Sequence, residues 1–224
     1  FKHHQFQVLL KPSPDRSQQL FLESLEACGI NCAAHDVRFE EDNWESPTLG
    51  AWGIGWQVML DGQEITQFTY FQQAGGQVLS PVSTEITYGL ERIAMLLQKV
   101  DNVFDIEWSP GVKYGAVRLQ EEVEQSKYVF GKVDQPPEDF ASFHRGLFEQ
   151  YEAFAQTLLK TRLVIPALDY CLKCSHIFNI LDASSGIGVA ERTAYILRVR
   201  KLAVAIAQAY IDNGEVGEVN EAGD

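Results

Sequence analysis

Apolar and polar positions alternate over short stretches in the first half of the chain and then shift to a helical period. Gln5 to Leu10 (QFQVLL) reads as a strand closed by the turn signal Lys-Pro-Ser-Pro. Leu20, Phe21, Leu25 and Cys28 recur at helical spacing, which predicts a helix from about Gln18 to Ala27, capped by Ser17 and stopped by Gly29. His35 to Glu40 reads as a second short strand. The Gly-, Trp- and acid-rich EDNWESPTLGAWGIGW that follows predicts irregular backbone with bulky rings over it, the composition of a pocket wall. Trp56 to Leu60 and Glu64 to Gln73 predict two antiparallel strands joined at Asp61-Gly62. The second is polar on both faces, Gln67 on one and Glu64 on the other, which suggests that an exposed face holds a ligand. After a loop at Gly75-Gly76, Glu85 to Tyr88 predicts a strand that enters Gly89 and a helix from Leu90 to Lys99.

From Trp108 to Pro137 the pattern is mixed, and VDQPP reads as a boundary. Helical spacing then predicts Phe143 to Leu159, Ala167 to Asn179 and Val189 to Tyr210. The fold class expected is α+β: an antiparallel sheet flanked by helices, then a helical C-terminal domain. The expected division is residues 1–108 for the sheet domain, 109–140 for a connecting segment, 141–212 for the helical domain and 213–224 for an acidic, disordered tail.

Composition narrows the class. Hydrophobic residues make up 46% of the 224 residues and charged ones 22%, enough for a packed core without staples. The 18 Lys and Arg stand against 31 Asp and Glu, a net charge of −13, which argues against a stand-alone nucleic-acid binder and against an anionic membrane surface. No apolar run is long enough to cross a bilayer. The four cysteines form two close pairs, Cys28/Cys32 and Cys171/Cys174. That spacing is compatible with zinc, but the helical context of three of them favours packing.

The chemistry concentrates in three segments: KHHQFQ, the EDNWESPTLGAWG loop with the strands after it, and EITYGLERIAMLLQ. In the last, a glycine at a strand–helix joint lets a ligand approach the backbone, and Arg92 adds a cation at the positive end of the helix dipole. Together they favour a polyphosphate. Taken alone, Arg92 reads as well as a surface partner of Glu91 or Glu41. His3 and His4, adjacent on a strand, should point oppositely; Arg192, Arg198, Arg200 and Lys201 read as a solvated helix face, and Glu121, Glu122 and Glu124 as a solvated acidic run.

In context, the strand, GLERIA and helix resemble motif 3 of class II aminoacyl-tRNA synthetases, and KHHQFQ resembles the second arm of their motif 2. FTYFQQAGG with EITYGLERIAMLLQKVDNVFDIEW, EDNWESPTLGAWG and ERTAYILRVR is similar to the α subunit of bacterial-type glycyl-tRNA synthetase, from Gln5 to about Asn213. The resemblance implies a class II catalytic domain in residues 1–108 whose N-terminal part, with motif 1 and the first arm of motif 2, is missing. It implies ATP-dependent activation of glycine and transfer to tRNA(Gly). By the same resemblance, Arg92 contacts ATP, Phe6 stacks on adenine, and Glu64 and Gln67 face ATP, with Mg²⁺ on Glu64. Gln5, Gln7, Trp44, Glu85 and Thr87 receive glycine, Glu85 pairing with its ammonium group and Trp44 walling the pocket. Arg92 and Glu85 are the catalytic pair. The partners implied are a second α subunit and two β subunits in a heterotetramer, the β region, separate or fused, taking most of the tRNA. The setting implied is the bacterial cytoplasm or an organelle. The rival reading is a non-catalytic synthetase-like module for assembly or regulation.

Overall fold

The computed structural model describes residues 2–134 and 136–213; the acidic stretch Glu215 to Asp224, expected as a disordered tail, lies outside them. The strands are β1 (Gln5–Leu10), β2 (Val37–Glu41), β3 (Trp44–Ser46), β4 (Ala51–Leu60), β5 (Gln63–Ala74), β6 (Gln77–Gly89), β7 (Glu107–Ser109) and β8 (Val112–Lys113). The helices are α1 (Ser17–Ala27), α2 (Leu90–Gln98), α3 (Tyr114–Val129), α4 (Pro137–Lys160), α5 (Val164–Ala183) and α6 (Val189–Asp212). The main sheet has the order β1-β6-β5-β4-β2, with β3 added against β4. The α+β architecture with an antiparallel sheet is the one expected.

Several elements differ from the sequence reading. The Gly/Trp-rich segment is regular strand from Ala51 onward. Gly53 and Gly55 act there as close-approach positions: a Cβ on Gly53 would lie 2.5 Å from Thr69 Cγ2, and one on Gly55 2.7 Å from the Asp42 carbonyl oxygen. The strand into Gly89 begins at Gln77 rather than Glu85 because Gly75 and Gly76, both at positive φ, form a tight turn that lets pairing resume at once. Asp61 and Gly62, also at positive φ, make the expected hairpin turn. Ser17 is the first residue of α1 rather than its cap; its hydroxyl donates to the Pro14 carbonyl. The mixed stretch after Trp108 contains α3, whose weak apolar stripe hid its period.

The chain divides into two compact units. The first comprises residues 1–45, 52–72 and 79–128, and so includes most of the segment expected as a connection. Its core lies on one face of the sheet, where Phe21 and Leu25 of α1 meet Val58, Leu60, Phe68 and Ile86. Each such side chain contributes about 1.5–3 kcal/mol on burial. The aromatic contacts Phe21–Phe68 and Phe39–Phe68 are edge-to-face. The second unit comprises residues 46–51 and 73–78 with the chain from 129. Phe148, Ala155, Ala167, Cys171, Cys174, Leu181 and Val199 are buried in its core. The turn at Gly75 packs on α6 so closely that a Cβ there would lie 2.4 Å from Ala207 Cβ.

Candidate active site

Strand register sorts the candidate residues by face. β1 runs antiparallel to β6 with Gln5 opposite Gly89, Gln7 opposite Thr87 and Leu9 opposite Glu85. Gln5, Gln7, Glu85 and Thr87 therefore share one face, the one turned away from α1. The other face pairs Phe6 with Tyr88 and Val8 with Ile86; Tyr88 reaches Ser24 of α1 through its hydroxyl at 2.6 Å. Phe6, expected over adenine, is thus placed on the α1 side, exposed and 6.0 Å from the Tyr88 ring. The structure does not bring it together with the four polar residues, because adjacent strand positions point oppositely.

On that polar face Glu85 is half-buried, and among the described residues its side chain has no hydrogen bond or ion pair. Burial alone pushes its carboxyl above the usual range. A carboxylate in this condition is a ready acceptor for a cation that arrives with a ligand. β5 adds Gln67 and Thr69 beside Gly55 and Gly53. Gln67 donates to the Asp42 carbonyl at 3.0 Å. Trp44, on β3, stands edge-on to Phe71 with ring centroids 5.2 Å apart. β5 is covered more completely than its polarity suggested: Ile65, Thr66, Phe68 and Thr69 are all buried, so its middle is not an open ligand face.

At the start of α2, Arg92 donates from Nη1 to both the Glu64 carbonyl and the Glu64 carboxylate, each at 2.8 Å. Its partner is therefore Glu64, and neither Glu91 nor Glu41. Both side chains of the pair remain more than a third exposed, so the guanidinium can exchange this contact for an anion. Gln67 is engaged elsewhere, and the structure does not join it to this pair. Arg92 lines a cleft of about 790 Å³ together with Lys2, His3, Gln63, Tyr114 and Arg118. Arg118 donates to Glu121 and lies over the Trp108 ring, while its Nε is buried with no hydrogen-bond partner among the described residues. Lys2 also pairs with Glu121.

The sequence reading missed Glu91, His4 and Tyr114. Glu91 is almost fully buried, and it accepts from the His4 backbone N–H at 2.9 and 3.1 Å and from the Tyr114 hydroxyl at 3.0 Å, with the His4 ring Nδ1 2.6 Å away. Burial works to raise its carboxyl, but these hydrogen bonds prevail and hold it below the usual range. Tyr114 is pushed up to about 12 by burial and by its bond to Glu91. His3 and His4 both approach this carboxylate, His3 Nε2 at 3.5 Å. The two rings were expected to point oppositely and do not, because both residues precede β1, which begins at Gln5, and strand alternation does not govern them. The available signal was a carboxylate in the first turn of a helix directly after a strand, a position where backbone donors are plentiful.

Other expectations change with the contacts. Glu121 is paired rather than merely solvated. Arg198 donates to Glu152 and lies over the Phe148 and Tyr195 rings, so it belongs to the packing of the second unit. Arg192 pairs with Asp182, and Arg200 donates to the Pro47 carbonyl. Cys171 and Cys174 are buried, with thiols pushed up to about 11 and about 12 chiefly by desolvation. Among the described residues no group of three metal-capable side chains assembles.

A family profile described as "Glycyl-tRNA synthetase alpha subunit" matches residues 1–215. A protein of Coprothermobacter proteolyticus named "Glycine--tRNA ligase alpha subunit" is 56% identical over 218 residues, which cover 97% of this chain and 73% of that protein.

Proposed function

The chain belongs to the glycyl-tRNA synthetase α-subunit family, and from that premise we propose that its polar sheet face receives glycine while Arg92 receives ATP. As the α component of a glycine–tRNA ligase, it serves a two-step reaction. A glycine carboxylate oxygen attacks the α-phosphorus of ATP, the bond to the bridging oxygen breaks, and pyrophosphate leaves. A ribose hydroxyl at the end of tRNA then attacks the glycyl carbonyl carbon, and AMP leaves. Little of this requires covalent work from side chains; position and neutralisation of phosphate charge dominate.

The observation that carries this reading is one unpaired charge beside one that can exchange its partner. Glu85 is a half-buried carboxylate with no cation among the described residues, and Arg92 is a half-exposed guanidinium at the first turn of a helix. Glu85 takes the glycine ammonium group, with Thr87 beside it and Gln7 across the strand pair. Gln5 completes the polar strip. Trp44, braced by Phe71, walls the pocket so that a side chain larger than hydrogen lacks room. Arg92 leaves Glu64 for the ATP phosphates. Phe6 takes no part in this arrangement.

Magnesium fits only in a limited way. Glu64 offers a single carboxylate beside Arg92, which suits an ion that draws most of its oxygens from phosphate and water. When bound there, the ion would add positive charge next to the departing pyrophosphate.

The family context further supports a partnership with a β subunit, in an assembly of two α and two β subunits that brings tRNA(Gly) to the site. The chain's acidic balance, −13 overall, fits a division of labour in which basic tRNA-binding surface comes from the partner. The bacterial relative supports a cytoplasmic setting.

Glycine-dependent ATP–pyrophosphate exchange by the complete synthetase tests the reading. Arg92→Ala should lower exchange by about 100-fold or more, the scale of removing one preorganised donor from charge that develops in a transition state. Undiminished exchange would overturn the assignment of Arg92.

A further inference from the structure

The buried carboxylate next to the arginine has no place in the chemistry described above, yet it is the most heavily bonded acid of the first unit. Glu91 accepts from the His4 backbone N–H at 2.9 and 3.1 Å and from the Tyr114 hydroxyl at 3.0 Å, and lies 2.6 Å from the His4 ring. The His4 carbonyl in turn accepts from the Leu90 N–H at 3.0 Å. Both backbone polar groups of one residue at the entrance of β1, His4, are thus held by two consecutive residues in the first turn of α2. The next residue along β1, Gln5, stands opposite Gly89, the residue before that turn.

We propose that Glu91 is a positioning residue that locks the entrance of β1 to the first turn of α2 and so orients Arg92 and the Gln5–Gln7 strip together. Two segments far apart in sequence must present their groups to one reacting pair. A hydrogen-bonded turn sets the direction in which the following side chain leaves the helix. A buried carboxylate satisfied on several sides tolerates little displacement, because moving it strands the His4 N–H or the Tyr114 hydroxyl away from water. Glu91 touches neither substrate in this arrangement; it acts through Arg92. The inference rests on the reading of Arg92 as the ATP contact.

The test is a double-mutant cycle on ATP–pyrophosphate exchange by the complete α–β synthetase. Glu91→Gln keeps the side chain's shape but turns an amide N–H toward groups that donate. It should lower kcat by roughly 10- to 100-fold, the penalty of a misplaced catalytic contact. In an Arg92→Lys background, where the oriented guanidinium is already gone, the same change should lower kcat by less than about 3-fold. Equal factors in both backgrounds would mean that Glu91 merely supports the fold, and an unaltered kcat for Glu91→Gln would overturn the proposal directly. Arg92→Lys with wild-type exchange would instead remove the ATP reading and the proposal with it. If Glu91→Gln does not fold, Tyr114→Phe removes one bond from the same carboxylate; a roughly 3- to 10-fold loss confined to the Arg92 background supports the proposal, and an equal loss in both backgrounds overturns it.

Discussion

Glu85→Gln should strengthen the protein and weaken the enzyme, and the two effects have one origin. In the free protein the Glu85 carboxylate is half-buried without a counter-ion among the described residues, and burial raises its pKa above the ordinary value of 4.5. The sign follows from proton binding. Between the ordinary value and the raised one, the folded state binds more protons than the unfolded state, so stability falls as pH rises through that window. At neutral pH the penalty is fully present; below the ordinary value it is gone. Because water still reaches much of the group, the penalty is small. Glutamine removes it. Urea unfolding followed by tryptophan fluorescence suits the measurement, since Trp44, Trp52, Trp56 and Trp108 all lie in the first unit. The variant should be the more stable at pH 7, and the difference should vanish near pH 4. For the enzyme, loss of a charged pairing with the ammonium group costs about 1.5–3 kcal/mol, or roughly a 10- to 150-fold rise in the KM for glycine. A variant that is less stable at neutral pH, or whose advantage does not change with pH, would refute the unpaired carboxylate. An unchanged KM would refute its role toward glycine.

Trp44→Ala should open the pocket and raise alanine activation relative to glycine by about 10-fold or more, measured as the ratio of kcat/KM in exchange assays; an unchanged ratio would remove Trp44 from the pocket wall. Gly75→Ala should destabilise the second unit by roughly 2–4 kcal/mol, because the residue has positive φ and its new Cβ would meet Ala207 at 2.4 Å. Gly62→Ala, with positive φ but nothing within 4 Å, should lose only about 1 kcal/mol. Denaturation followed by far-ultraviolet circular dichroism compares the two, and equal losses would contradict the close packing.

Local regularities were legible in the linear order of residues. β1 and the start of α6 fall where their periodicity placed them, because alternation and helical spacing are properties of neighbours. The Asp61-Gly62 turn was readable from its residue types, since few sequences accept positive φ at both positions. GLER identified a strand–helix joint with a cation at its head. Alternation puts Gln5 and Gln7 on one face and Phe6 on the other, which the expectation of Phe6 over adenine did not take into account.

What the chain order could not supply were pairings between distant segments. That Gln7 meets Thr87, and Leu9 meets Glu85, is decided by strand register. That Arg92 rests on Glu64 rather than on Glu91 or Glu41 depends on β5 passing beneath the start of α2. Arg198 looks solvated on its own helix and is instead held by Glu152 and two rings. Glu91 reads as an ordinary first-turn acid until β1 and α3 close over it and bring the His4 amide and the Tyr114 hydroxyl. A hydrogen bond or ion pair is made between surfaces, and folding chooses those surfaces by burying apolar area over the whole unit at once. The sequence by itself determined the more periodic elements, the motif and the family; only the tertiary structure decided how each charge is partnered and which carboxylate is left without a partner among the described residues.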